Sequence, residues 1–310
     1  MILASPQPET TMQGCAYIDE RFVAPEDARI SIFDWGFLRS DATYDVAHVW
    51  HGRFFRLDDH LDRFEASCRA LRLDPGVDRA RMRSVMHECV RRSGLREAYV
   101  ELLCTRGHPA PGSRDLRTCT NRFMAFAIPF IWIADPARQR RGIDMVVGTP
   151  QRIPTASVDP RVKNYHWLDF VTGLFEAYDR GGDTVLLTDG QGAVTEGPGF
   201  NVFAVTGGTV ATPESGVLEG VSRRTVIELA HAAGLDVQVR RLPVEELRRA
   251  DEVFLSSTAG GVIPIASIDG VPLGGRARGS FGPVSERLQA AYWALHDDPR
   301  HADPVDYAAA

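Results

Sequence analysis

The sequence predicts an α+β protein with much antiparallel pairing, and three observations predict it. Strand-like runs arrive in pairs joined by short turns, as at Gly207-Gly208, where residues 200–206 lead into 209–211. Helical runs stand apart from them, with apolar residues at the 3.6-residue period in Leu61, Phe64, Cys68 and Leu71, and again in Trp167, Phe170, Val171, Leu174 and Tyr178. Regular alternation of strand and helix is lacking, which disfavours a doubly wound nucleotide-binding sheet.

Taken in order, residues 15–18 and 20–23 read as a hairpin about Asp19, and 43–50 and 53–57 as strands flanking a turn at His51-Gly52. Asp58 is the expected cap of the helix carrying Leu61 to Leu71, and a second helix is expected over 78–92. Residues 97–105 and 122–133 are strand-like, separated by the turn-rich stretch His108-Pro109-Ala110-Pro111-Gly112-Ser113. Ala134-Asp135-Pro136 ends the strand. The arginine-rich run 135–142 is the expected linker between an N-terminal domain, residues 1–134, and a C-terminal domain, residues 143–310.

Beyond it, 145–153 is an expected strand and 154–160 a loop. Lys163 then falls at a strand-loop-helix junction, just ahead of the helix that begins near Trp167. Strands are expected at 184–188, 193–196 and 200–206, after which Ser222 is placed to cap a helix over 223–233. Strands over 236–241, 252–256 and 262–268, a short helix after Pro243 and a last helix over 286–296 complete the chain.

Composition narrows the function. With 310 residues, 44% hydrophobic and 25% charged, the chain can bury one large core or two moderate ones. A net charge of −6, without a basic stripe interleaved with aromatics, argues against a nucleic-acid partner. The cysteines Cys15, Cys68, Cys89, Cys104 and Cys119 are odd in number and widely spaced, with no C-x-x-C pair; they read as free thiols in a reducing cytoplasm, and no metal site is expected. The first twelve residues lack the basic start and apolar run of a secretory signal, and no apolar run reaches the ~18 residues of a membrane span. A soluble, cytoplasmic protein is expected.

Lysine and arginine total 35, yet Lys163 is the only lysine, which leaves 34 arginines. Arginine replaces lysine as a surface cation but stays protonated, so it cannot act as an amine nucleophile. A lone lysine in this background points to a position that needs a deprotonatable amine, or else is the survivor of a codon bias that converts lysine to arginine. The count alone leaves both open.

Position adds to the count. The segments Asp159-Pro160-Arg161-Val162-Lys163-Asn164-Tyr165-His166-Trp167 and Thr195-Glu196-Gly197-Pro198-Gly199-Phe200-Asn201-Val202-Phe203 resemble the class IV aminotransferases, the fold-type IV pyridoxal 5′-phosphate (PLP) enzymes. Within that family the chain looks most like the (R)-selective amine transaminases. The resemblance continues through 216–223 and 257–261, and upstream through Phe33-Asp34-Trp35-Gly36-Phe37 and residues 54–60.

It implies a two-domain fold like that of D-amino acid aminotransferase, with a small N-terminal α/β domain, a larger C-terminal barrel-like domain, and a homodimer. It also implies that Lys163 is the Schiff-base lysine and proton carrier, and that Glu196 is the carboxylate that keeps the pyridine nitrogen protonated. For the phosphate it implies Val221 and Ser222 at a helix start, Ser257 and Thr258 before Gly260-Gly261, and Arg56 as the formal charge.

The substrate pocket implied by the resemblance comprises Tyr44, Val46, Tyr99, Trp167 and the residues flanking Thr258, although Tyr44 and Tyr99 read equally well as core aromatics. Arg114, in the loop after Gly112, matches the mobile cation that receives the acceptor's carboxylate, with Arg117 as a substitute and a solvated loop arginine as the plain alternative. Two positions depart from the pattern. Arg39 stands where many relatives carry histidine, and would favour substrates bearing a carboxylate. Pro198 replaces a small residue and stiffens the turn that holds Glu196.

The expected reaction is ping-pong transfer of an amino group from an (R)-amine or D-amino acid to a keto acid such as pyruvate. The alternatives are a branched-chain or D-amino acid aminotransferase, an aminodeoxychorismate-type lyase on the same fold, and a non-catalytic metabolite-binding protein. Having both Lys163 and Glu196 argues against the last, since binding a phosphate requires neither.

Overall fold

The computed structural model describes residues 12–275 and 282–308. The chain opens with the hairpin β1 (Cys15–Ile18) and β2 (Arg21–Val23), in whose tight turn Asp19 and Glu20 take φ of 48° and 60°. The short helix α1 (Trp35–Arg39) follows, capped by Asp34, whose carboxylate accepts from the Gly36 N–H at 2.7 Å. Next come β3 (Ala42–Trp50), β4 (Arg53–Phe55), α2 (Leu57–Leu71), α3 (Arg79–Ser93), β5 (Ala98–His108) and β6 (Thr120–Pro129).

The arginine-rich run expected to be a linker holds the one-and-a-half-turn helix α4 (Pro136–Arg141), started by proline and capped by Asp135. Then follow β7 (Ile143–Gln151), α5 (Leu168–Asp179), β8 (Thr184–Thr188), β9 (Glu196–Gly197), β10 (Phe200–Thr206), β11 (Thr209–Pro213), α6 (Val221–Ala232), β12 (Val237–Arg240), α7 (Val244–Arg249), β13 (Glu252–Ser257), β14 (Gly261–Ile268), β15 (Val271–Pro272), α8 (Pro283–Ala294) and β16 (Ala302–Pro304).

Among the described residues these strands form two sheets. The first runs β16-β4-β3-β5-β6-β1-β2 and is antiparallel throughout, so the end of the chain returns to pair with β4. The second runs β12-β11-β10-β13-β14-β7-β8, with β9 on β10 and β15 on β14; its β11/β12, β14/β7 and β7/β8 pairs are parallel and the others antiparallel. The result is the expected α+β fold, carried by two sheets. Gly207 and Gly208, at φ 57° and 87°, make the β10–β11 turn in the region that glycine enters without strain.

The apolar stripe of α2 buries Leu61 and Phe64 completely, together with Met86 and Val90 of α3, against Ala47, Val100 and Leu102 of the first sheet. Full burial of each large side chain stabilises the fold by about 1.5–3 kcal/mol. Two expected caps are corrected. Helix α2 begins at Leu57 with Arg56 at the cap position in the left-handed region, so Asp58 lies in the first turn, where its charge favours the helix dipole. Helix α6 begins at Val221 with Gly220 as cap, so Ser222 lies inside the helix. Residues 193–195, expected to be strand, form isolated bridges at Ala193 and Val194, and Thr195 donates its N–H and hydroxyl to the Leu187 carbonyl. No helix among the described residues is long and apolar enough to cross a membrane.

Candidate active site

A cavity of about 250 Å³ opens where β3 and α2 of the first sheet meet the start of α5, β13 and the start of α6. Lys163 lines it from the coil between β7 and α5, and its backbone is fixed from the other side of the junction. Its carbonyl accepts from Thr43 Oγ1 at 2.6 Å and from the Tyr44 N–H at 3.4 Å, and its N–H donates to Ser67 Oγ at 3.2 Å. The amine Nζ sits 4.0 Å from the centroid of the Tyr44 ring, which presents its negative face to it. Tyr165 stacks on the same ring, with centroids 4.4 Å apart, and donates its hydroxyl to Glu101 at 2.8 Å.

Glu196 lines the same cavity and is 6% exposed. Its Oε1 accepts from Arg152 Nε at 3.2 Å and its Oε2 from the Leu218 N–H at 2.7 Å. Burial pushes its carboxyl up, and the charge of Arg152, the Leu218 N–H and the charge of Lys163 offset only part of that.

At the far end, Gly220, Val221 and Ser222 bring the start of α6 to the wall, and no side chain caps that helix. A Cβ on Gly220 would stand 2.3 Å from Asn201 Oδ1, so glycine is what lets the backbone come this close. The Ser222 hydroxyl is shared with that of Tyr292 at 2.9 Å. Ser257 donates to the Gly199 carbonyl at 2.8 Å, and Ser256 Oγ is a buried hydroxyl without a hydrogen-bond partner among the described residues. Thr258 completes this side of the cavity.

Arg56 does not line the cavity. It is buried between α2 and α6, donating to Thr225 Oγ1 at 2.7 Å and pairing with Glu228 at 2.6 Å and Asp59 at 3.1 Å, so its charge is spent on joining two helices. The arginine that reaches the cavity from α2 is Arg63. Asp45 grips it through two bonds of 2.7 and 2.8 Å and also accepts from His60 Nδ1 at 2.8 Å. Burial would raise the Asp45 carboxyl, but Arg63 and then His60 outweigh it and hold it far below the usual range. The legible signal was a polar stripe, His60, Arg63 and Ser67, at helical spacing beside the apolar one.

Of the expected pocket residues, Tyr44, Val46, Tyr99 and Trp167 line the cavity. Arg39 and Arg114 do not. Arg39 is exposed at the end of α1 with its guanidinium 3.5 Å from the Trp35 ring centroid, and Arg114 is exposed on the β5–β6 loop, where Arg117 pairs with Asp115. Arg152, Ile131 and Ile133 are lining residues that pattern reading did not find, because only tertiary packing brings them to the wall.

The donor set fits PLP. It offers an amine, a buried carboxylate, a helix start without a side-chain cap and the unpartnered Ser256 hydroxyl, the groups that an aldehyde, a ring nitrogen and a phosphate require.

Known proteins point the same way. The model of the family "Amino-transferase class IV" matches residues 42–268. A putative branched-chain-amino-acid aminotransferase of Methanocaldococcus jannaschii is 32% identical over 279 residues, covering 89% of this chain and 94% of that protein. The branched-chain-amino-acid aminotransferase of Escherichia coli K12 is 29% identical over 281 residues, covering 87% and 89%. The crystal structure of a T.th. branched-chain amino acid aminotransferase with pyridoxamine 5′-phosphate superposes with a TM-score of 0.87 at 29% identity, covering 95% of this chain and 99% of that one.

Proposed function

The chain belongs to the class IV aminotransferases, enzymes dependent on pyridoxal 5′-phosphate, and from that premise we propose that it moves an amino group from an (R)-amine or D-amino acid to a keto acid such as pyruvate. The observation that carries this reading is the cavity wall. Tyr44, Tyr99, Trp167, Val46, Ile131 and Ile133 make its substrate side aromatic and apolar, while both lining arginines are already held, Arg63 by Asp45 and Arg152 by Glu196 and Asp169. A donor without a carboxylate fits such a wall and leaves no buried charge unpaired. The acceptor's carboxylate draws its counter-charge from outside the lining, a part we assign to Arg114 on its exposed loop, with Arg39 as the other candidate.

Bound in the cavity, PLP supplies an aldehyde for the donor's amine and a ring that takes up the electrons released when the neighbouring C–H loses its proton. Lys163 holds the cofactor through its amine and, once the donor has replaced it there, carries that proton at Nζ. Its anchored backbone and the Tyr44 ring keep Nζ on one track. Glu196 keeps the ring nitrogen protonated. Val221, Ser222, Ser257, Thr258 and the Arg63 guanidinium receive the phosphate.

A second reading is transamination of branched-chain L-amino acids. It is favoured by the names of the relatives, and Val46, Ile131 and Ile133 suit an aliphatic side chain. A donor panel of (R)- and (S)-1-phenylethylamine, D-alanine, D-glutamate and L-leucine with pyruvate or 2-oxoglutarate separates the two. Turnover of the (R)-amine or the D-amino acids is expected; turnover of L-leucine alone would establish the second reading. Pyridoxamine phosphate left on the enzyme after one donor cycle excludes a lyase.

We further propose a cytoplasmic homodimer. Four of the five free cysteines are buried, and large apolar side chains stand exposed on α5, at Leu168, Phe175 and Tyr178, and separately at Ile32, Phe33 and Phe37, the kind of surface a partner chain covers. Sedimentation equilibrium at micromolar concentration is expected to give twice the chain mass.

A further inference from the structure

Glu196 is a buried carboxylate with two kinds of neighbour, and the second has no part in the reaction as described so far. Besides the Leu218 N–H it meets Arg152, itself only 8% exposed, whose Nε lies 3.2 Å from Oε1. The same guanidinium donates through Nη1 to Asp169 Oδ2 at 2.7 Å and sits over the Phe170 ring, with Cζ 4.2 Å from the ring centroid. Asp169 is fixed in turn at the start of α5, accepting from the Ile153 N–H at 3.0 Å on Oδ2 and from its neighbour Phe170 N–H at 2.8 Å on Oδ1. The other charges acting on Glu196 are Lys163 and Arg223.

We propose that Arg152 and Asp169 are positioning residues that act as a neutral pair to hold Glu196 ionised and free for the ring nitrogen of the cofactor. This rests on the reading of Glu196 as the ring-nitrogen partner. Two physical requirements converge on it. A carboxylate taken out of water and given one backbone donor takes up a proton, and a neutral carboxyl cannot stabilise a pyridinium. A cation beside it works against that, but an unpaired arginine at 3.2 Å would itself compete with the ring nitrogen for the carboxylate. Asp169 removes the competition: it takes up the charge of Arg152 through Nη1 while Nε meets Glu196, and Phe170 packs on the guanidinium. The three side chains then carry one net negative charge, which a protonated ring nitrogen cancels.

The test compares R152Q, R152K, D169N and E196Q with the wild-type holoenzyme. Cofactor affinity is measured by quenching of tryptophan fluorescence as apoenzyme is titrated with PLP, and the visible band of the bound cofactor is followed against pH. R152Q is expected to weaken cofactor binding by roughly tenfold or more and to move the band's pH midpoint in the direction E196Q moves it, with R152K recovering part of both. D169N is expected to shift the midpoint as well, with the melting temperature of the apoenzyme near that of the wild type. If E196Q shifts the band and R152Q and D169N do not, the pair has no such role and the inference fails. If E196Q itself leaves band and affinity unchanged, the reading of Glu196 fails first. Should R152Q not fold, R152K and D169N decide by the same two readouts.

Discussion

Lys163 differs from the 34 arginines in carrying an amine, a group that can give up its proton and form a Schiff base. Lys163→Arg keeps the positive charge beside Tyr44 and removes only that property, so kcat is expected to fall about a thousandfold or more while the chain stays folded. Borohydride reduction of the wild type followed by peptide mass analysis should place the pyridoxyl group on residue 163; an adduct elsewhere would overturn the assignment. The two arginines of the 56–63 stretch give a second contrast. Arg63→Ala is expected to raise the cofactor dissociation constant by roughly tenfold or more, since it removes a guanidinium that lines the cavity. Arg56→Ala, which breaks contacts to Thr225 and Glu228 on α6 and to Asp59 on α2, is expected to lower the melting temperature and leave cofactor affinity within about threefold. Titration of the two apoproteins with PLP checks both.

The elements differ in how far sequence alone discloses them, and for physical reasons. Helices α2 and α5 are legible because one-sided burial imposes a period on their apolar residues, and the β10–β11 turn because two successive positive φ angles call for Gly207-Gly208. The lysine and glutamate segments are legible because their motifs are local. The sequence points to Arg56 rather than Arg63 because both lie in one short stretch, and only the packing of α2 on β3 decides which guanidinium reaches the cavity. Arg152 was missed because a lone arginine after a strand carries no local signal; its partners lie 17 and 44 residues away. The start of α6 lies two residues earlier than the sequence suggests, since Ser222 reads as the cap while Gly220 takes that place. Gly220, the actual cap, gives an element-scale prediction. Gly220→Ala pushes a methyl group against Asn201, moves the start of α6, and is expected to weaken cofactor binding by about tenfold. Adding Asn201→Ser should recover part of the loss; the same affinity in the single and double variants would show that the clash is absorbed elsewhere.

At the scale of the whole molecule, the cavity exists only while the two sheets stay in contact, and a pair of buried histidines spans that contact. His48 is on β3 of the first sheet, and His296 follows α8, which packs on β14 and β13 of the second; their Nε2 atoms are 2.6 Å apart. The Tyr292 and Trp293 carbonyls, each 3.1 Å from His296 Nδ1, require that nitrogen to carry the proton, so His296 Nε2 accepts and His48 donates. Both rings are therefore neutral in a box built by Phe55, Phe130 and Trp293. Burial pushes His296 down to about 4, and burial followed by the neighbouring His296 and His60 pushes His48 well below its usual value. In the unfolded chain both titrate near ~6.5. Between these limits the unfolded state binds more protons than the native one, so stability is fully present above about pH 6.5 and declines as the pH falls toward 4. Depressed carboxyls such as Asp45 add their own loss only at lower pH, where unfolded carboxyls begin to protonate near ~4, which leaves the upper part of the window to histidines. The melting temperature is thus expected to drop between about pH 7 and pH 5, and bound cofactor to be released with it. In His296→Leu the drop should be smaller, even if the melting temperature at neutral pH is lower. Equal slopes for variant and wild type across that interval would assign the acid sensitivity to other groups, His60 first among them.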